Sequence, residues 1–258
     1  MEISRFSTVF SLATAAILAL ASCAGPAPAP AQEAPSQAQE GASPQSVATP
    51  TSSEPAAAKT TRAPARQMDQ VALEAILASL KNDAGEPLSM ISATDMAEGQ
   101  RMQKLALDGA GITPESCRVF AASNAELPAG SVYAAGSWQD EATATATVVT
   151  LMSADPSVLA AKLAESTKNR PDCASFSLTV AGQTVQTTLE QLPVETNADT
   201  ETAMLISQDL PNNTSLHTAM VEALQGGLVV TVAKLGPAVD EGAAPELGAL
   251  VNKVLAAS

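Results

Sequence analysis

Aromatic side chains are scarce in this sequence: one Trp, one Tyr and four Phe in 258 residues. Past the first 22 residues only Phe120, Tyr133, Trp138 and Phe176 remain. The core must therefore be built from Ala, Val, Leu and Met, and stacking platforms for bases or sugars are nearly absent. Basic residues are also few. Thirteen Lys and Arg stand against 27 Asp and Glu, for a formal charge of −14. Phosphate binding needs clustered Lys and Arg, so this balance argues against nucleic acid as a partner. It also disfavours docking on an anionic membrane surface. A single histidine, His217, and three cysteines leave little material for a metal centre.

What is present begins at the N-terminus. "MEISRF" carries one basic side chain, Arg5, partly offset by Glu2, and residues Phe6 to Leu20 are free of charge. A short basic start followed by such a stretch reads as a secretory signal. Leu20-Ala21-Ser22-Cys23 resembles the bacterial lipobox, in which a branched apolar residue and two small residues precede the modified cysteine. The resemblance implies a signal peptide over 1–22, cleaved so that a lipidated Cys23 becomes the first residue. The alternative is an uncleaved membrane helix that happens to contain a Cys. The stretch lies near the lower limit of ~17–25 residues for a span and is diluted by Ser and Thr. Burying acyl chains contributes ~0.8 kcal/mol per methylene, and two chains hold where one is marginal. The expected location is the extracytoplasmic face of the cell membrane, held by lipid.

From Ala24 to about Gln67 the chain is Ala, Pro, Ser, Gln, Glu and Thr with almost no large apolar residue. Such a segment does not offset its ordering entropy, so 23–68 is expected to be a disordered, Pro-stiffened linker. About 44 residues reach ~135 Å if fully extended and ~35–40 Å as a flexible coil. A Pro-rich docking ligand is the rival reading; a linker is the ordinary use of this composition.

From Asp69 the pattern becomes globular, and 69–258 suits one domain. Asp69 can cap a helix through Leu73, Ile76, Leu77 and Leu80 that stops at Asn82 to Gly85. A second helix over "ATDMAEGQRMQKLALDGAG" is expected with Met96, Met102 and Leu105 inward. "TPESCRVFAAS" suggests a short third one, with Thr113 as cap, Pro114 opening it and Cys117, Phe120 and Ala121 on one face. The period then changes to two. Residues 131–152 read as strands around a Gln139-Asp140-Glu141 turn, and the small Ala142, Ala144, Ala146 face invites a closely packed helix. Asp155 and Pro156 open a helix with Leu159 and Leu163 inward, ended by Pro171. A hairpin follows around Ala181-Gly182, with Phe176, Leu178 and Val180 on one face, and "TETAMLISQDL" is a further strand. Residues 216–225 fit a helix, and equally a strand paired with Leu228 to Ala233; the Gly226-Gly227 turn favours the hairpin. An amphipathic helix through Leu247, Leu250, Val251, Val254 and Leu255 closes the chain. Helices with mostly sequential strands imply an α+β domain with an antiparallel sheet flanked by helices.

Once Cys23 is set aside, Cys117 and Cys173 remain. In an oxidising compartment such a pair forms a disulfide, which contributes roughly 4 kcal/mol in the chain-entropy model. Each is followed three residues later by Phe, which suggests a bridge from a helix to the sheet edge with aromatics nearby. No C-x-x-C motif supports a redox pair. Other candidate chemistry is thin. His217 has no second imidazole for zinc, and no G-x-S-x-G surrounds a serine. Asp140-Glu141, Asp199 with Glu201, and Asp240-Glu241 are acidic pairs at turns, with no D-x-D-x-D-G calcium loop. Gly109-Ala110-Gly111 is too short for a phosphate loop, and Asn212-Asn213-Thr214 is a chance glycosylation match.

"TPESC" at 113–117, "LPAG" at 127–130, "DCASFSLTVAGQTV" at 172–185 and "ALQGGLVVTV" at 223–232 resemble the extracellular sensor domain of PknH-type serine/threonine kinases. The resemblance implies a sheet flanked by helices, with a cleft for an unidentified ligand. It carries over no ligand-contacting residue. The kinase sensor has two disulfides where this chain has cysteines for one, and no kinase domain is present, so direct signalling is not implied.

The expectation is a lipid-anchored surface protein whose domain binds a ligand or partner without catalysis, metal or cofactor. Met-rich and Ala-rich surfaces between the first helices and the sheet would form a groove for a small apolar ligand or an envelope protein. One alternative is a structural cell-envelope interaction protein without a small-molecule pocket. Another is a hydrolase, which would need His217 bonded to a serine inside a cleft.

Overall fold

The computed structural model describes residues 67–118, 127–169, 171–211 and 214–258. The expected signal peptide, Cys23, nearly all of the expected linker, Phe120, Ala121, Asn212 and Asn213 lie outside the described residues. At its start, Met68 packs against the core and its N–H donates to Ser153 Oγ at 2.8 Å.

The elements are α1 (Gln70–Ser79), β1 (Ser89–Ile91), α2 (Ala93–Asp108), β2 (Gly111–Thr113), β3 (Val132–Asp140), β4 (Thr145–Ser153), α3 (Pro156–Asn169), β5 (Ser175–Val180), β6 (Gln183–Leu192), β7 (Thr200–Asp209), β8 (Ser215–Gln225), β9 (Leu228–Gly236) and α4 (Ala243–Ala257). A short 3₁₀ turn, Pro171–Cys173, precedes β5. The strands form one antiparallel sheet in the order β1-β3-β4-β9-β8-β7-β6-β5-β2. This is the α+β architecture expected from the sequence.

The sheet has two apolar faces of different extent. On one, α1 and α4 bury Leu73, Leu77, Leu247, Val251 and Val254 against Val149, Leu151, Val221, Val230 and Val232. Ala203, Ala219 and Ala223 line the same face and give the helices a shallow bed. Those alanines do the job assigned above to the Ala142, Ala144, Ala146 face. Ala142 and Ala144 instead sit exposed in the β3–β4 turn, and Ala144 has φ 51°. The turn lies at 141–144 because Asp140 still pairs with Thr145. On the other face, Leu159 of α3 packs with Ala154, Leu224 and Val229. Further along that face, Leu107 of α2 joins Ile112, Phe176, Leu178 and both bridging cysteines.

The hairpins follow turn chemistry. Ala181 and Gly182 take φ 50° and 79° between β5 and β6, as a two-residue primed turn requires. Gln225 pairs with Leu228 across Gly226-Gly227, so residues 216–225 are strand, not helix. Asp69 Oδ1 accepts from Ala72 N at 2.9 Å, and Asp155 Oδ1 from Ser157 N at 2.8 Å, capping α1 and α3.

Two expectations fail. In α2 the buried residues are Met96, Gln103 and Leu107, while Met102 and Leu105 are 45% and 54% exposed. Positions 96, 103 and 107 share one side of a 3.6-residue helix, and 102 and 105 lie across from it. The inward stripe contains a glutamine, which a reading by hydrophobicity passes over. Thr113 is not a helix cap. It ends β2, paired with Ser177, and the helical turn begins later, at Cys117.

Candidate functional site

Three strands set up a polar row at the open end of the α1/α4 face. Trp138 of β3 pairs with Thr147 of β4, and Thr147 pairs with Lys234 of β9. Side chains two residues apart share a face, so Lys234 continues the inward series Val230, Val232. Here the apolar core stops. Lys234 Nζ reaches Glu246 of α4 at 2.9 and 3.2 Å.

Above this row is an open cleft of about 570 Å³. Its floor is Trp138, Thr145, Thr147 and Lys234. One wall is the α4 stripe Glu246, Ala249, Leu250 and Lys253, which follows the spacing of one helical face. The other wall is the turn Lys81–Ala84 after α1. That turn is tightly built. Asn82 N donates to Glu86 O at 3.0 Å, Glu86 N to Asn82 Oδ1 at 2.8 Å, and Gly85 N to Asn82 O at 2.9 Å. Gly85 sits at φ 80°, where a side chain is strained. Trp138 Nε1 donates to Glu86 O at 3.0 Å and ties the turn to the sheet. Asp140, at the cleft rim, is turned onto its own hairpin, accepting from Ala142 N at 2.9 Å and Thr143 N at 3.3 Å. Hydrogen bonds from Thr143, then the Ala142 N–H and the charge of Lys234, hold its carboxyl below the usual range.

The Met- and Ala-lined groove expected between the first helices and the sheet is replaced by this charged cleft. Leu73 and Leu77 of α1 are fully buried against the sheet and fill that space. The missed signal was parity. A lysine and a tryptophan occupy inward positions of strands that are otherwise apolar on that side, and only the pairing register puts them together.

The other candidates resolve as local structure. Cys117 and Cys173 form a disulfide with a Cα–Cα distance of 5.4 Å, fully buried beside Phe176. It joins the helical turn after β2 to the 3₁₀ turn before β5, and so staples the last two strands at that edge. A bridge from a helix to the sheet edge was expected; its two ends are the helical turn at Cys117 and the 3₁₀ turn at Cys173, which leads into β5 beside the edge strand β2.

Ser207 Oγ lies 2.9 Å from His217 Nδ1. The two are cross-strand partners on β7 and β8. Neither lines the cleft, and among the described residues no carboxylate pairs with the second ring nitrogen. Ser207 also pairs with Thr188 of β6, so β7 has neighbours on both sides and its N–H groups are engaged in the sheet. No backbone donors are left there for an oxyanion. The contact is a cross-strand pair.

The acidic pairs brace turns. Asp199 Oδ2 accepts from Gly226 N at 3.0 Å, Asp240 Oδ1 from Gly242 N at 3.0 Å, and Glu201 from Thr196 Oγ1 at 3.4 Å. Among the described residues no three His, Cys, Asp or Glu side chains gather as a metal group. Gly109 is the C-cap of α2. No described helix is long and apolar enough to cross a membrane.

No family model and no curated protein matches the chain. Among solved structures, the chain is similar to the extracellular domain of PknH from Mycobacterium tuberculosis. The identity is 12% and the TM-score 0.45, over 74% of this chain and 96% of that one. It is also similar to an uncharacterized protein of Mycobacterium smegmatis, the Rv0999 ortholog. There the identity is 15% and the TM-score 0.38, over 58% of this chain and 76% of that one. The first is the domain type that the sequence resemblance names.

Proposed function

We propose that this chain is a non-catalytic extracytoplasmic binding domain, held to the membrane through a lipidated Cys23 and a long linker, with the cleft at Trp138 as its binding site. The observation that carries this reading is the division of the cysteines. Cys117 and Cys173 are joined in a buried cluster, and a structural disulfide belongs to an oxidising compartment. The third thiol, Cys23, follows Leu-Ala-Ser after an uncharged stretch, where the signal-peptidase pattern places the acylated residue.

The cleft favours binding over a purely structural envelope role. Its walls are pre-formed by the Asn82–Glu86 hydrogen bonds and by α4, so a ligand meets an ordered surface.

The test is mass spectrometry of the detergent-extracted protein expressed with its N-terminus intact. The expected mature chain begins at Cys23, carries a diacylglycerol mass, and shows one disulfide that reduction opens. A chain retaining Met1 with an unmodified Cys23 overturns the anchor and the compartment together.

A further inference from the structure

Resting on the reading of the cleft as the binding site, we infer that its ligand is an anionic saccharide, with a sugar ring on the Trp138 indole and a carboxylate or phosphate substituent held by Lys81 and Lys253. Trp138 is the only tryptophan of the chain and lies half-buried in the cleft floor. Its N–H is committed to the Glu86 carbonyl. What it offers a ligand is ring surface, which suits the C–H face of a sugar.

The charges choose the substituent. On a chain of formal charge −14, three lysines converge on one cleft. Lys234 is neutralised by Glu246. Lys81 and Lys253 have no carboxylate partner among the described residues. Of the carboxylates in the lining, Glu246 is held by Lys234 and Asp140 by its own turn, leaving Asp83 as the one without a hydrogen bond. Asp140 keeps its charge, so the lining as a whole balances at three ammoniums and three carboxylates. What the cleft offers an anion is the pair Lys81 and Lys253, which no carboxylate contacts among the described residues. Thr147, on the same sheet face as Trp138 and Lys234, lines the cleft and its side chain makes no hydrogen bond within the described protein, so it can meet a sugar hydroxyl.

Other ligand classes fit worse. An apolar molecule would cover Lys81, Lys253 and Asp83 without pairing them. A neutral sugar would gain nothing from the two ammoniums. Nucleic acid needs a longer basic track than two unpaired lysines. The volume, about 570 Å³, lies within the ~300–1,000 Å³ of small-ligand sites.

Because Trp138 is the sole tryptophan, the emission of the full chain in detergent micelles reads this cleft alone. The arms are a galacturonate oligomer, the matched neutral galactose oligomer, glucose 6-phosphate and a cationic glucosamine oligomer. The expected result is a saturable emission change with an acidic arm and binding of the neutral oligomer weaker by about tenfold or more. Preference for the oligomer identifies an envelope glycan as the source; preference for the phosphate identifies a free metabolite. Lys81→Met/Lys253→Met weakens the acidic ligand by about tenfold or more, while the emission of the free protein and its Tm stay unchanged. Equal response to the neutral oligomer, or unchanged affinity in the double variant, overturns the inference. A response to the glucosamine oligomer alone overturns it too, but leaves the cleft a binding site. No response in any arm overturns both the inference and the cleft as binding site, and leaves the lipid anchor standing.

Discussion

The indole N–H of Trp138 donates to the backbone carbonyl of Glu86 at 3.0 Å, across 52 residues of sequence. One side chain thereby fixes the turn after α1 to the floor of the cleft. Trp138→Phe keeps an aromatic ring and deletes this donor. The variant is expected to lose about 1 kcal/mol of stability. Amide exchange at Gly85 and Glu86 should rise in it, while exchange in β8 and β9 stays as in the parent. Hydrogen exchange with mass detection checks both, and an unchanged turn would show that Asn82 holds it alone.

Ser207 and His217 sit 2.9 Å apart, the one arrangement in the described chain that resembles a nucleophile and its base. With the β7 N–H groups engaged in the sheet, an acyl or phosphonyl intermediate would lack its oxyanion donors. Incubation with a fluorophosphonate probe is expected to leave Ser207 unlabelled. Adduct formation at Ser207 that Ser207→Ala abolishes would return the hydrolase reading.

The Cys117–Cys173 bridge holds β2, a three-residue strand whose described pairing is with β5 alone. A strand this short has little pairing of its own. Reduction, or the double Cys→Ala variant, is expected to lower stability by about 2–5 kcal/mol in denaturant titration. The first amide to lose protection should be that of Ile112, ahead of those in β8 and β9.

Acid should loosen α3. Hydrogen bonds from the Ser157 side chain, then from the Ser157 and Val158 N–H groups, hold the Asp155 carboxyl below its ordinary value. A depressed folded-state pKa means the contribution is present above the unfolded value, about 3.9, and is lost as pH falls through the folded one. Thermal melts between pH 6 and pH 2 are expected to show a fall below about pH 4 that is shallower in Asp155→Asn, which has no charge to lose there. A parallel fall in both proteins would show that Asp155 does not contribute.

Much of the domain is legible without coordinates because its signals are local. Asp69 and Asp155 cap their helices, Ala181-Gly182 and Gly226-Gly227 turn their hairpins, and Leu247, Val251 and Val254 mark the buried side of α4. These depend on residues a few positions apart. The reading failed where hydrophobicity and periodicity disagreed. Gln103 is buried in α2, and Met102 and Leu105 are not. The helix phase is set by where the chain enters from β1 and leaves toward β2, and that is not a property of the segment itself.

The sequence alone determined what lies in order along the chain: Cys23 after Leu20-Ala21-Ser22, a stretch to about Gln67 without core-forming residues, a strongly acidic remainder and two further cysteines. The cleft is different. Trp138, Thr147 and Lys234 are far apart in sequence, and Lys81 and Lys253 lie near opposite ends of the domain. Only the register of β3, β4 and β9 and the seating of α1 and α4 bring them to one place, because side-chain neighbours across strands are chosen by pairing and not by distance along the chain.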